Sequence, residues 1–279
     1  MDLKTLRDTA PWEWPENTDE LLIEILSKGA VDAQDRLLAV ELAGDPAVIN
    51  DALAEALLGV IKNNQEKDNV RGMAAISLGP ALEHADMMGF EDEDDVVISE
   101  NLFRQIQQSL RELYAKNELP ELVRRRVLEA SVRAPQSWHH EAVRSAYAGV
   151  KDNWRLTAVF CMQFIAGFEE EIIESLNNTD ELIHYQAVVA AGNWEVDEAW
   201  DHIAKLVRSD KTEKNLRLAA IEAIANIRPE DAGEILGALL ESKDDDVADA
   251  AHEALVMAEG LAEFDDDEFD DDEDEKAPF

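Results

Sequence analysis

The sequence predicts an all-α protein, a right-handed α-solenoid of about seven helical hairpins. Three observations predict it. Ala and Leu dominate a 279-residue chain that is 46% hydrophobic but only 6% aromatic, with eight Pro and twelve Gly; that mix favours helix over a β-sandwich. Apolar residues recur at offsets 0, +4, +7, +8 and +11, which lie on one face of a helix. The pattern itself also recurs. Leu216, Ala220, Ala223, Ile224 and Ile227 are repeated 31 residues later by Val247, Ala251, Ala254, Leu255 and Ala258. Between the copies Ala232, Ile235, Leu236, Leu239 and Leu240 form a second helix pattern, opened by Pro229. Such a hairpin cannot bury its apolar face alone, so copies must stack.

Residues 1–17 hold Trp12 and Trp14 between Pro11 and Pro15, which argues against regular helix there and suits a capping segment for the first helical layer. The solenoid is placed at 18–262. Its first hairpin starts at Thr18, a candidate N-cap, and ends at Gly44-Asp45-Pro46, a Gly-then-Pro stop. The second is expected at 48–62 and 68–82, with Val70, Ala74, Ser77, Leu78 and Ala81 in register. Residues 84–96 interrupt the rhythm as an acidic insertion, expected to be a long loop with Met87, Met88 and Phe90 as a contact patch. Hairpins follow at 99–133, 138–166, 169–192, 196–227 and 229–260. The offset-0 residues stand at 35, 70, 123, 154, 183, 216 and 247. Only the interval from 70 to 123 is aberrant, and it contains the insertion.

The run Asp68-Asn69-Val70-Arg71-Gly72-Met73-Ala74-Ala75-Ile76-Ser77-Leu78-Gly79 resembles the second-helix signature of HEAT repeats, in particular the short HEAT-like kind of bacterial proteins. Asn215-Leu216-Arg217-Leu218-Ala219-Ala220-Ile221-Glu222-Ala223-Ile224 is similar. The resemblance covers about residues 18–260. It implies an armadillo-type α-solenoid and says little about function, because such arrays serve scaffolds and enzymes alike.

Position +1 of the second helices is Arg36, Arg71, Arg124, Arg155, His184 and Arg217, with Ala248 in the last copy. This basic ladder is read as structural, an inter-repeat Asp–Arg network in which Asp68 and Asp152 pair with a neighbour's guanidinium. The other reading is a positive strip for an anionic ligand. His140-Glu141 and His252-Glu253 look like the His-Glu motifs of deoxyhypusine hydroxylase, a HEAT-like family that binds two irons through four such motifs. Here there are two, at unmatched repeat positions, so no metal site and no cofactor is expected. Other HEAT-like proteins are DNA glycosylases. Trp138, Trp154 and Trp194 suit stacking on bases, but Trp154 and Trp194 fall at core offsets, and the net charge of −38 repels phosphate backbones. No residue constellation singles out bilin attachment, the chemistry of a further HEAT-like group. Nor does the chain show a P-loop, a GxGxxG or a Ser-His-Asp pattern.

Of the −38, residues 263–279 contribute −10; this segment is expected to be a disordered acidic tail, with Phe264 and Phe269 as hydrophobic pins. The lone cysteine, Cys161, sits at a core offset and fits a reducing compartment. The N-terminus lacks a signal-peptide apolar region, and the apolar run 156–168 is too short to span a bilayer. These readings converge on a cytoplasmic, non-catalytic interaction scaffold or adaptor, expected as a monomer, that offers an acidic curved surface to a basic protein partner and binds neither nucleic acid nor membrane. The candidate partner-binding residues are Trp12, Trp14, Met87, Met88, Phe90, Phe264 and Phe269. The alternatives are a HEAT-like enzyme, metal-dependent through its His-Glu pairs, and an assembly or maturation factor for one client.

Overall fold

The structure, a computed structural model, describes residues 2–28, 32–92, 96–116, 118–149 and 151–270, with side chains described to residue 260. Among the described residues there are helices and no strands. The chain divides into two compact units, Met1–Gly149 and Val150–Phe279.

The first unit opens with α1 (Leu3–Arg7) and a 3-10 turn at Pro11–Glu13. It continues through α2 (Thr18–Ser27), α3 (Ala33–Leu42), α4 (Asp51–Lys62), α5 (Asp68–Met88), α6 (Glu100–Tyr114), α7 (Glu121–Ser131) and α8 (Trp138–Tyr147). The hairpins are α2/α3, α4/α5 and α6/α7. Their first helices pack side by side as one layer, and α3, α5 and α7 pack as the other.

The second unit holds α9 (Asp152–Cys161), α10 (Glu169–Ser175), α11 (Glu181–Asn193), α12 (Trp200–Arg208), α13 (Lys214–Ile227), α14 (Pro229–Gly237) and α15 (Asp245–Asp270). Here α9, α11, α13 and α15 form the layer of second helices, against which α10, α12 and α14 pack.

The register read from the sequence is the register of the core. The +4 residues Ala39, Ala74, Val127, Ala158, Ala187, Ala220 and Ala251 are all fully buried. Helix starts are fixed locally, since side-chain oxygens satisfy amides that have no intrahelical partner. Asn50 accepts from the Leu53 amide at 3.0 Å, Asp180 from Leu182 at 2.9 Å, and Glu213 from Leu216 at 3.0 Å.

Four expectations change. The N-cap of α2 is Asn17; Thr18 begins the helix, and its hydroxyl donates to the Pro15 carbonyl at 2.7 Å. Residues 84–88 are helical, because α5 runs through Pro80 to Met88 and is closed by Gly89 at φ 70°. Proline removes one helical donor but not the packing of Ala81, Leu82 and Ala85, which are all buried. Trp194 is 36% exposed rather than core; it follows the end of α11 and donates to the Met162 carbonyl at 2.6 Å. Finally, α15 continues past 262 to Asp270.

Candidate functional site

The basic ladder does not present a strip of free cations. Three of its arginines are spent on carbonyls at the C-terminal end of the preceding helix, which have no intrahelical donor. Arg217 Nε donates to the Val207 carbonyl at 2.9 Å and Arg71 Nε to the Ile61 carbonyl at 3.0 Å. Arg36 donates to Ile25, Leu26 and Lys28 at 3.1, 3.2 and 3.0 Å. All three side chains are buried. A guanidinium there also complements the negative end of the helix dipole. Arg36 adds an ion pair with Glu66 of the next hairpin, whereas Asp68 stands 3.8 Å from Arg71 of its own helix, not a neighbour's. Arg124 stacks 4.8 Å over the Tyr114 ring and Arg155 stands 3.8 Å from Glu174. The ladder positions are visible in the sequence; the carbonyl acceptors, about ten residues upstream, become visible only once the hairpins close.

His184 departs from this pattern. Its Nε2 lies 2.9 Å from the Nε2 of His202 on α12, with ring centres 5.1 Å apart and planes at 77°. Burial holds both imidazoles below the ordinary histidine range, with His202 acting on His184 and Lys205 acting on His202 in the same direction. Both shifts favour the neutral imidazole, and at least the accepting ring of an N–H···N bond must be neutral.

The exposed surface of the second unit's second helices carries a groove of about 560 Å³. It runs between α11, α13 and α15. Its lining includes Glu222, Asp246, Asp249 and Glu253, together with Tyr185, Leu218 and Met257, and no Lys or Arg. The four carboxylates are exposed. Asp246 also meets Lys214 at 2.6 Å, and Lys214 meets Asp244 at 2.8 Å. Toward the start of α11 a second hollow of about 660 Å³ is lined by Glu181, Leu182, His184, Tyr185, Lys211 and Glu213, where Leu182 is 60% exposed. Sequence reading missed this groove. Glu222 and Glu253 both stand at offset +6 of their hairpins, but which face they occupy depends on how successive hairpins pack.

The other sequence-derived candidates are dispersed. Trp14 is half-buried, and its Nε1 donates to the Leu6 and Thr9 carbonyls at 2.9 and 3.1 Å, so it fastens the N-terminal segment. Trp12 is 85% exposed. Met87 and Met88 are exposed on the last turn of α5, and Phe90 turns inward onto Phe103, ring centres 5.4 Å apart. Phe264 and Phe269 fall within the helical run of α15, and their side chains lie outside the described residues. His140, Glu141, His252 and Glu253 are exposed on α8 and α15, and among the described residues no three His, Cys, Asp or Glu side chains converge as metal ligands. No described helix is long and apolar enough to cross a membrane.

Residues 169–256 match the family described as HEAT repeats. No curated protein matches the chain. Among solved structures, human deoxyhypusine hydroxylase in complex with glycerol is similar at 14% identity and TM-score 0.40, over 92% of this chain and 88% of that one. The Escherichia coli protein YibA is similar at 13% identity and TM-score 0.46, over 91% and 85%. An engineered protein matches at 18% identity and TM-score 0.35, over 88% and 98%. Residues 169–256 are matched as HEAT repeats, within a chain whose described residues form helices and no strands.

Proposed function

We propose that the protein is a non-catalytic interaction scaffold and that the groove between α11, α13 and α15 takes a basic segment of a protein partner. The observation that carries this reading is the lining itself: four carboxylates and no Lys or Arg, interleaved with Tyr185, Leu218 and Met257. Carboxylates along a groove attract Lys and Arg side chains and set orientation, while the apolar residues supply desolvated contact. An amphipathic basic helix has both components, with an apolar stripe for the floor and cations for the walls. The whole-chain charge of −38 accelerates the approach of such a partner and repels polyanions.

The test is titration of the full chain with a fluorescent amphipathic peptide rich in Lys and Arg, at low and at moderate salt. Binding is expected to weaken as salt rises. The pair Asp249→Lys and Glu253→Lys is expected to lower affinity by about tenfold or more, as like charges replace opposite ones. The same double reversal at the exposed Glu55 and Glu112 of the first unit is the control. Equal losses from both pairs would show that net charge alone attracts the peptide and would overturn the groove assignment.

A further inference from the structure

We propose that His184 and His202 form a two-histidine site for a borderline transition-metal cation of the Zn²⁺ class, which links α11 of one hairpin to α12 of the next. The two Nε2 atoms face each other at 2.9 Å, so two good nitrogen donors converge from different elements. Imidazole is a preferred ligand for Zn²⁺, Ni²⁺ and Cu²⁺ and a poor one for Mg²⁺ and Ca²⁺.

The spacing of the rings suits a shared cation. With Zn–N at about 2.05 Å and a tetrahedral angle, two imidazoles on one ion have ring centres about 5.2 Å apart. Here they stand 5.1 Å apart. The Nε2 separation would open to about 3.3 Å, as each ring turns from its head-on arrangement through its side-chain torsions. The chemistry balances without a co-reactant. The proton shared between the two Nε2 atoms moves to Nδ1 of its own ring, leaving two neutral imidazoles with free Nε2 lone pairs. The remaining coordination positions fall to water. A route in exists, because His184 lines the hollow of about 660 Å³, where Glu181 and Glu213 outnumber the one cation, Lys211.

The site is independent of the His-Glu pairs and of the acidic groove. It is tested by Zn²⁺ titration calorimetry on the full chain, in excess Mg²⁺ to saturate surface carboxylates. One Zn²⁺ per chain is expected. His184→Gln and His202→Gln each should reduce affinity about tenfold or more, and the double variant should remove the site. His140→Gln and His252→Gln should leave it unchanged. Far-UV circular dichroism confirms that each variant folds. Should the double variant fail to fold, Cu²⁺ electron paramagnetic resonance on the wild-type chain decides: hyperfine structure from two nitrogens supports the site, and an oxygen-only spectrum overturns it. Absence of stoichiometric Zn²⁺, or Zn²⁺ binding that survives loss of both histidines, overturns it as well.

Discussion

His139 shows how a single buried side chain sets a pH response. Its Nδ1 lies 2.8 Å from the Gln136 amide nitrogen and 3.1 Å from the Gln136 carbonyl, and its Nε2 lies 3.0 Å from the Ser131 hydroxyl, so both ring nitrogens are met by hydrogen-bond partners. The side chain is 1% exposed, and burial pushes its pKa from 6.5 down to about 4. The folded state therefore keeps His139 neutral, while the unfolded chain takes up a proton as pH falls through 6.5. Stability is unaffected above that pH and declines between 6.5 and about 4, by about 3 kcal/mol in all at about 1.4 kcal/mol per pKa unit. His184 and His202, also held low, act in the same direction. Urea unfolding at a series of pH values checks this: wild-type stability should fall more steeply below pH 6.5 than that of His139→Gln. Parallel curves would show that His139 protonates as easily folded as unfolded. The ladder arginines answer burial differently. Arg36, Arg71 and Arg217 are as inaccessible as many core residues, and each is met by carbonyl oxygens, which offset the cost of burying a guanidinium.

At the scale of the helix the question is how closely successive second helices approach. Gly44, Gly79 and Gly192 all fall at offset +9 of their hairpins, against small +7 residues of the next one. A methyl at Gly192 would stand 2.7 Å from Cα and Cβ of Ala223; at Gly44 it would meet the Ser77 carbonyl at 2.4 Å. At Gly79 the nearest atoms are the flexible Arg133 side chain, with Ala130 Cα behind it. Gly192→Ala must therefore move a helix, and overpacking of that kind costs about 1–3 kcal/mol. Gly59, inside α4, has open space at the same position, so Gly59→Ala should stabilise by about 0.5–1 kcal/mol through helix propensity alone. Thermal melting of the two variants should thus move in opposite directions; two shifts of the same sign would refute the close-contact argument. The glycine spacing was present in the sequence, as were the helix pairs and the +4, +7 and +8 core positions, because each is a local period repeated along the chain. What was not legible depends on contacts between hairpins: the carbonyls that receive the arginines, the pairing of His184 with His202, the acidic groove, and the inward turn of Phe90. Trp194 shows the limit of a strictly periodic reading. Its offset of +11 falls beyond the last turn of α11, where a helical register no longer says which way a side chain points.

Across the whole molecule, 63 acidic residues against 25 basic ones mean that most carboxylates have no basic partner at any arrangement of the chain. Salt then has two opposed effects. It weakens ion pairs between hairpins, such as Lys214 with Asp244 and Arg228 with Asp197, but those pairs are exposed and worth little. It also screens the self-repulsion of the folded state, which brings the excess carboxylates closer together than the unfolded chain does. The buried arginine–carbonyl bonds are largely shielded from solvent ions. Relief of repulsion therefore outweighs the loss of ion pairs, and the melting temperature of the free protein should rise by several degrees from 10 to 150 mM NaCl, as the Debye length shrinks from about 30 to about 8 Å. A basic partner reverses the sign. Its attraction to the same field is screened by the same ions, so salt that stabilises the free chain should loosen the complex with a basic peptide. Differential scanning fluorimetry of the free protein, read beside peptide affinity over one salt series, tests both halves together. A melting temperature that falls with salt would mean that the exposed ion pairs outweigh the excess of some 38 carboxylates, and with that the electrostatic basis for a basic partner would fail.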